Sequence, residues 1–169
     1  MKILTLSLFL VFIAAACSNV ERDSEASTSE SASIGVDSFT TRILQEGVKH
    51  TVYLPVYSNV AVSGGDVKVP MTVTLSVRNT DLAGSFVVSK VEYFTSEGIR
   101  AREYIENPMR VDKLETIEFI IPQKDLVGGS GANFIIEWTS NEEINAPIFQ
   151  GVHVNSNSGI SFITHGREL

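Results

Sequence analysis

Polar and apolar residues alternate along most of this chain. In residues 69–78, Val69, Met71, Val73, Leu75 and Val77 take the odd positions, and polar residues take the even ones from Thr72 onward. A period of two puts all five apolar side chains on one buried face of a strand. Pro70 cannot donate to a ladder, which places it at a strand start or a sheet edge. Further strands are expected at 51–57, 86–94, 99–105, 114–121, 133–138, 148–154 and 160–163. Ile117, Phe119 and Ile121 share one face, as do Phe134, Ile136 and Trp138. Turn residues stand between these runs: Ser63-Gly64-Gly65-Asp66, then Ser96-Glu97-Gly98 as a hairpin, then Asn155-Ser156-Asn157-Ser158-Gly159. One short helix is expected at 39–45.

About eight short antiparallel strands joined by polar turns predict an all-β chain, an antiparallel β-sandwich of immunoglobulin-like architecture. The Cys-Trp-Cys core of antibody domains is absent. A small β-barrel is the alternative, because a period of two suits both.

The first 38 residues follow other rules. Lys2 gives one positive charge, and residues 3–16 then carry none. That apolar run holds about 14 residues, short of the roughly 20 that span a bilayer as a helix. A basic start, a short apolar stretch and the small residues Ala14-Ala15-Ala16 describe an export signal. Cys17, the chain's only cysteine, follows directly. Ala-Ala-Ala-Cys resembles the lipobox of bacterial lipoproteins, in which that sulfur takes up diacylglycerol, although Ala14 stands where Leu, Val or Ile is usual. Two or three acyl chains would then hold the protein to a membrane with no spanning helix. Ser and Glu dominate the next residues, with no aromatic group to bury, so a disordered tether is expected. The expected plan is a signal peptide at 1–16, lipidated Cys17 heading a tether at 17–38, and one β-sandwich domain at 39–169. Location follows: exported and membrane-anchored, at the outer membrane or cell surface rather than the inner membrane.

Charge and cysteine count narrow the chemistry. The formal charge is −7, and losing Lys2 with the signal makes it −8. Such a chain is a poor partner for nucleic acid. With Cys17 lipidated, the mature protein has no thiol left for a disulfide or a metal.

Tyr53-Leu54-Pro55-Val56-Tyr57-Ser58, Leu75-Ser76-Val77-Arg78-Asn79-Thr80-Asp81 and Gly128-Gly129-Ser130-Gly131-Ala132-Asn133-Phe134 resemble the repeated blocks of one bacterial family. Ile135-Ile136-Glu137-Trp138 and Gly159-Ile160-Ser161-Phe162 extend the likeness. The family is a domain of unknown function (DUF3124-like), found in exported proteins and lipoproteins. The resemblance implies no catalytic residue, cofactor or substrate.

Candidate chemistry is sparse. Gly128-Gly129-Ser130-Gly131 lacks the lysine of a phosphate-binding loop, and Ala132 breaks the pattern of a hydrolase nucleophile elbow. A structural turn into the next strand explains it better, with ligand contact through its backbone amides as the alternative. His50, His153 and His165 lack metal-ligand spacing, and no metal or other cofactor is expected. His153, between Val152 and Val154, is expected to face solvent. Arg78-Asn79-Thr80-Asp81 reads as a turn, with Arg78 pairing an acid such as Glu137 or Asp81. Trp138 reads as core. Tyr53 and Tyr57, four apart in a strand, point the same way.

These features add up to a lipid-anchored binding or accessory module of the cell envelope, without catalysis. Its partner is an envelope protein or glycan, met by Tyr53, Tyr57, Arg78, Asp81, Ser130 and Asn133. Two other readings stand beside it: a hydrolase of envelope carbohydrate or peptide, and a small-ligand carrier.

Overall fold

The structure is a computed structural model that describes residues 37–141 and 143–169. Residues 1–16, Cys17 and the tether up to residue 36 lie outside it. A helix, α1 (Ser38–Glu46), comes first, then β1 (Val48–Val56), β2 (Asn59–Val62), β3 (Val67–Pro70), β4 (Thr72–Arg78), β5 (Phe86–Phe94) and β6 (Arg100–Glu103). The chain continues through β7 (Met109–Val111), β8 (Thr116–Ile121), β9 (Ala132–Ser140), β10 (Ile148–Asn155), β11 (Ile160–His165) and β12 (Arg167–Glu168). Asp37 caps α1 by accepting the Thr40 N–H.

Two open antiparallel sheets form the body. One runs β12-β1-β9-β5-β6, with β7 also on β5, and the other runs β11-β10-β4-β8. Neither closes on itself, so the fold is an all-β sandwich and the barrel alternative falls. Val52, Leu54 and Val56 of β1 and Phe134, Ile136 and Trp138 of β9 meet Val73, Leu75 and Val77 of β4, with Met71 just before it, in one buried core. Ile121 joins them, with Ile117 and Phe119 packed against its margin. Alternation in these strands therefore maps onto the inner faces as the sequence implies.

The run 69–78 is not one strand. It breaks at Met71, because β3 leaves the sandwich to pair with β2 in a separate two-stranded ribbon. Pro70 ends that ribbon, where no further ladder partner is required. The turn at residues 63–66 closes the same ribbon, with Gly64 at φ 79°. Strands β2, β7 and β12 are too short to leave a periodic signal.

Outside the first sheet, α1 lies against β5 and β9. Its Thr40 and Ile43 are buried, as are Val87 of β5 and Thr139 of β9, which are paired across the ladder. A register shift between Val88 and Lys90 accompanies the burial of Phe86, Val87 and Val88 in succession.

Candidate functional site

One end of the sandwich stays open. There β1 begins, β9 ends and β12 runs alongside β1. Alternation along β1 carries His50 to the inner face one step beyond Val52. His50 lies opposite Trp138 in the ladder, and the two rings stack with centroids 4.1 Å apart and planes 12° from parallel. Phe86 meets the indole edge-on at 5.4 Å and Phe149 lies behind it at 6.5 Å. Trp138 is thus core, as expected, at 5% exposure. Among the described residues its Nε1–H nevertheless has no hydrogen-bond partner.

Glu168 of β12 accepts from His50 Nδ1 at 2.5 Å. The carboxylate fixes which edge of the imidazole carries that proton. A cavity of about 390 Å³ opens beside this pair, lined by Val48, His50, Trp138, Asn141, Glu143, Ile144 and Glu168 among others. A second space of about 300 Å³ adjoins it across Trp138, Ala146 and Glu168, and reaches Phe149 and His165.

The segment after β9 walls the first cavity, and the Arg78-Asn79-Thr80-Asp81 motif holds that wall. Asp81 accepts from the Ala83 and Gly84 N–H groups at 2.8 Å and from the Asn145 N–H at 2.9 Å. Those backbone donors, Gly84 first, lower its pKa to about 2. Thr80 adds a bond from its hydroxyl to the Ala146 carbonyl. Asn79 is buried, accepts the Asp81 N–H and donates to the Gly84 and Val111 carbonyls. Arg78 does not pair with Glu137 or Asp81. Its Nε donates to the Ser76 hydroxyl, while Glu137 takes Lys90 and Asp81 is committed to backbone.

At the opposite end, His153 corrects a second expectation. It is fully buried, not solvent-facing. Its Nε2 accepts the Tyr57 N–H at 3.0 Å, its Nδ1 donates to the Gly151 carbonyl at 3.0 Å, and its ring stacks on Phe162. Burial pushes its pKa below the ordinary histidine value. The inward set of β10 is Phe149, Gly151, His153 and Asn155, so Val152 and Val154 face outward.

The six residues proposed as a partner surface do not share one. Tyr53 sits half-buried on the outer face of the first sheet, opposite in sense to Val52 and Leu54. Tyr57 lies past the end of β1, edge-on to His153 and Phe162, because the strand stops before the alternation reaches it. Asn133, at the start of β9, and exposed Ser130 lie near that end, whereas Arg78 and Asp81 lie at the open one.

The glycine-rich loop is occupied by its own fold. A side chain on Gly128 would meet the Tyr93 hydroxyl at 1.7 Å, and Gly129 has φ 75°. Ser96 donates to the Gly128 carbonyl and accepts the Gly131 N–H, while the Ser58 hydroxyl and N–H both reach the Gly129 carbonyl. Gly129 N–H is spent on the Leu126 carbonyl. Those amides are not available to a ligand.

Residues 49–169 match the model of a family described as a protein of unknown function (DUF3124). The chain belongs to that family. No curated protein and no solved structure matches it. The family match covers both sheets and every residue of the cleft except Val48, and α1 lies outside it. Among the described residues, no helix is long and apolar enough to cross a membrane, and no group of three or more His, Cys, Asp or Glu side chains is arranged to hold a metal.

The sequence reading missed the His50–Trp138–Glu168 cluster. One signal was present: extending the inward series Val56, Leu54, Val52 by one more step reaches His50. No comparable signal points from either residue to Glu168.

Proposed function

We propose that this member of the family is a lipid-anchored module of the bacterial cell envelope that binds a ligand or partner without transforming it. The Ala-Ala-Ala-Cys junction at Cys17 supports export and lipidation. The Ser- and Glu-rich stretch after it would act as a tether, leaving the sandwich in the aqueous space at the outer membrane or cell surface. The observation that carries the binding role is the open end of the sandwich. A cavity of about 390 Å³ is built there over a stacked Trp138–His50 pair, with Val48, Ile144 and Ala146 also in its wall. Cavities of this size that combine apolar walls with a few placed polar groups are where small ligands bind.

Anchoring is tested by expressing the full chain and its Cys17→Ser variant in a bacterial host and partitioning both between detergent and water. The expected outcome is wild type in the detergent phase and variant in the water phase. A variant that still enters detergent would sink the lipid anchor.

One observation favours the hydrolase reading: His50 is oriented by Glu168, as a general base must be. Release of product from envelope polysaccharide or peptide by the purified protein, abolished by His50→Asn, would replace binding with catalysis.

A further inference from the structure

The two sheets differ in width. Counted from the corner where β11 passes through Gly166 into β12, the first sheet has five strand positions, with β6 and β7 sharing the fifth, and the second sheet has four. At that corner β1 lies against β10 and β11. Among the described residues, β6 therefore has no strand facing it across the sandwich. Exposure agrees with this: all four residues of β6 are exposed. Arg102 pairs with Tyr93 in the ladder and shares its inner face, yet Tyr93 is fully buried and Arg102 is not. The position that would face β6 lies beside β8, the free edge of the second sheet.

One bond fixes which backbone groups that edge presents. The Asn79 N–H donates to the Glu115 carbonyl at 2.9 Å, one step beyond the register pair Arg78–Thr116. Bonded and non-bonded pairs alternate along an antiparallel ladder. Ile117, Phe119 and Ile121 therefore turn their N–H and C=O groups to β4, and Thr116, Glu118 and Ile120 turn theirs outward. The other edges of the two sheets are guarded in ways that discourage strand addition. β6 carries Arg100, Arg102 and Glu103 and a register shift at Tyr93–Phe94, β7 and β12 have three and two residues, and β11 lies against β1. β8 has six residues, no proline and no register shift, and Glu118 is its one charge. Its inner-face Ile117 and Phe119 are only half-buried, with Tyr104 edge-on to Phe119 at 5.8 Å.

We infer that β8 accepts an extended segment of a partner protein as a fifth, antiparallel strand of the second sheet. Side chains of that segment opposite Ile117, Phe119 and Ile121 enter the sandwich beneath β6 and are apolar. The side chain opposite Glu118 lies on the outer face and is a lysine or arginine. Glu118 stands across from Ser76 and has no basic partner among the described residues, while Arg102 is already held by Asp125 at 2.8 Å. A second copy of the chain fits this edge poorly. β6 extends about one strand spacing, roughly 4.8 Å, past β8, and the twofold axis of a β8–β8 pair would lie half that far out, so the two β6 strands would collide. The register that bonds all three outward residues of each strand would also set Glu118 against its own copy.

The test uses the full chain in detergent and the probe acetyl-Val-Thr-Val-Lys-Val-Thr-amide, whose lysine falls opposite Glu118. Amide hydrogen exchange read by NMR is expected to be fast at Thr116, Glu118 and Ile120 in the free protein, and slowed at least about tenfold by saturating probe. Ile117 and Phe119 are expected to stay protected throughout. N-methylation of the probe's lysine removes an N–H aimed at β8 and is expected to weaken binding at least about tenfold. N-methylation of its central valine, whose N–H points away, should change binding by less than about threefold. Glu118→Lys is expected to weaken the lysine probe by about fivefold and to strengthen its glutamate counterpart by as much, with the melting temperature unchanged. No saturable binding up to about 1 mM probe would overturn the proposal. Equal binding of the two N-methylated probes would overturn strand addition. Protection of the three outward amides that rises with protein concentration alone would give the edge to a second copy and overturn the peptide. None of these outcomes touches the open-end cleft, which lies at a different place on the sandwich.

Discussion

His153 holds two sheets together through one neutral ring. Its Nε2 must keep a lone pair to accept the Tyr57 N–H, so a second proton on the imidazole breaks the contact between the end of β1 and β10. Burial lowers the folded pKa below the ordinary 6.5, and as pH falls the unfolded chain takes up its proton first. The stability tied to the neutral ring is therefore complete above about pH 6.5 and lost progressively below it, down to the folded pKa. Thermal melts taken at about pH 7.5 and about pH 5.5 are expected to separate further for wild type than for His153→Gln. Equal separations would show that this histidine is not a source of acid sensitivity. Gly128 shows the same economy of space: the Tyr93 hydroxyl fills the position of a side chain, so glycine is needed there for room.

The turn between β4 and β5 is the element that couples sequence motif to cleft. Asp81 gathers three backbone donors, two from its own turn and one from Asn145, and so pins the segment carrying Glu143, Ile144 and Ala146. With its pKa lowered to about 2, the contribution of this carboxylate is present above 3.8 and lost as pH falls through about 2. Asp81→Ala is expected to speed hydrogen exchange at the Asn145 amide while amides in the middle of β9 keep their protection. Unchanged exchange at Asn145 would mean that the wall is held by other contacts, the Thr80–Ala146 bond first among them. Asp81 thus acts on the cleft from behind its wall, and it does not line the cavity.

At the scale of the whole molecule, the sandwich divides its sheets into faces with very different tolerance. Leu75 is fully buried between the sheets, and Ile163 is 53% exposed on the outer face of the second. Leu75→Ala is expected to cost about 2–5 kcal/mol in urea unfolding, from lost burial plus the cavity it leaves. Ile163→Thr should stay within about 0.5 kcal/mol. Similar losses at both positions would mean that the outer face of β11 is covered in solution, by another copy or another surface. Ile163, Val152, Thr74 and Ile120 are register partners across that sheet, which makes the comparison a direct probe of the face.

How much of this was legible beforehand depends on whether burial is written in neighbouring residues or in distant ones. Alternation alone identified the inner faces of β4 and β9, because a strand with one wet side must repeat every second residue. The same rule misled at β10, where Val152 and Val154 are apolar yet face outward. Packing decides that strand: Gly151 leaves room beside Val56 and the His153 ring, and the Tyr57 N–H supplies the partner that lets a histidine be buried. The cleft is wholly a product of tertiary structure. His50, Trp138 and Glu168 are far apart along the chain and meet only because β9 and β12 flank β1, and no local pattern encodes which strands become neighbours.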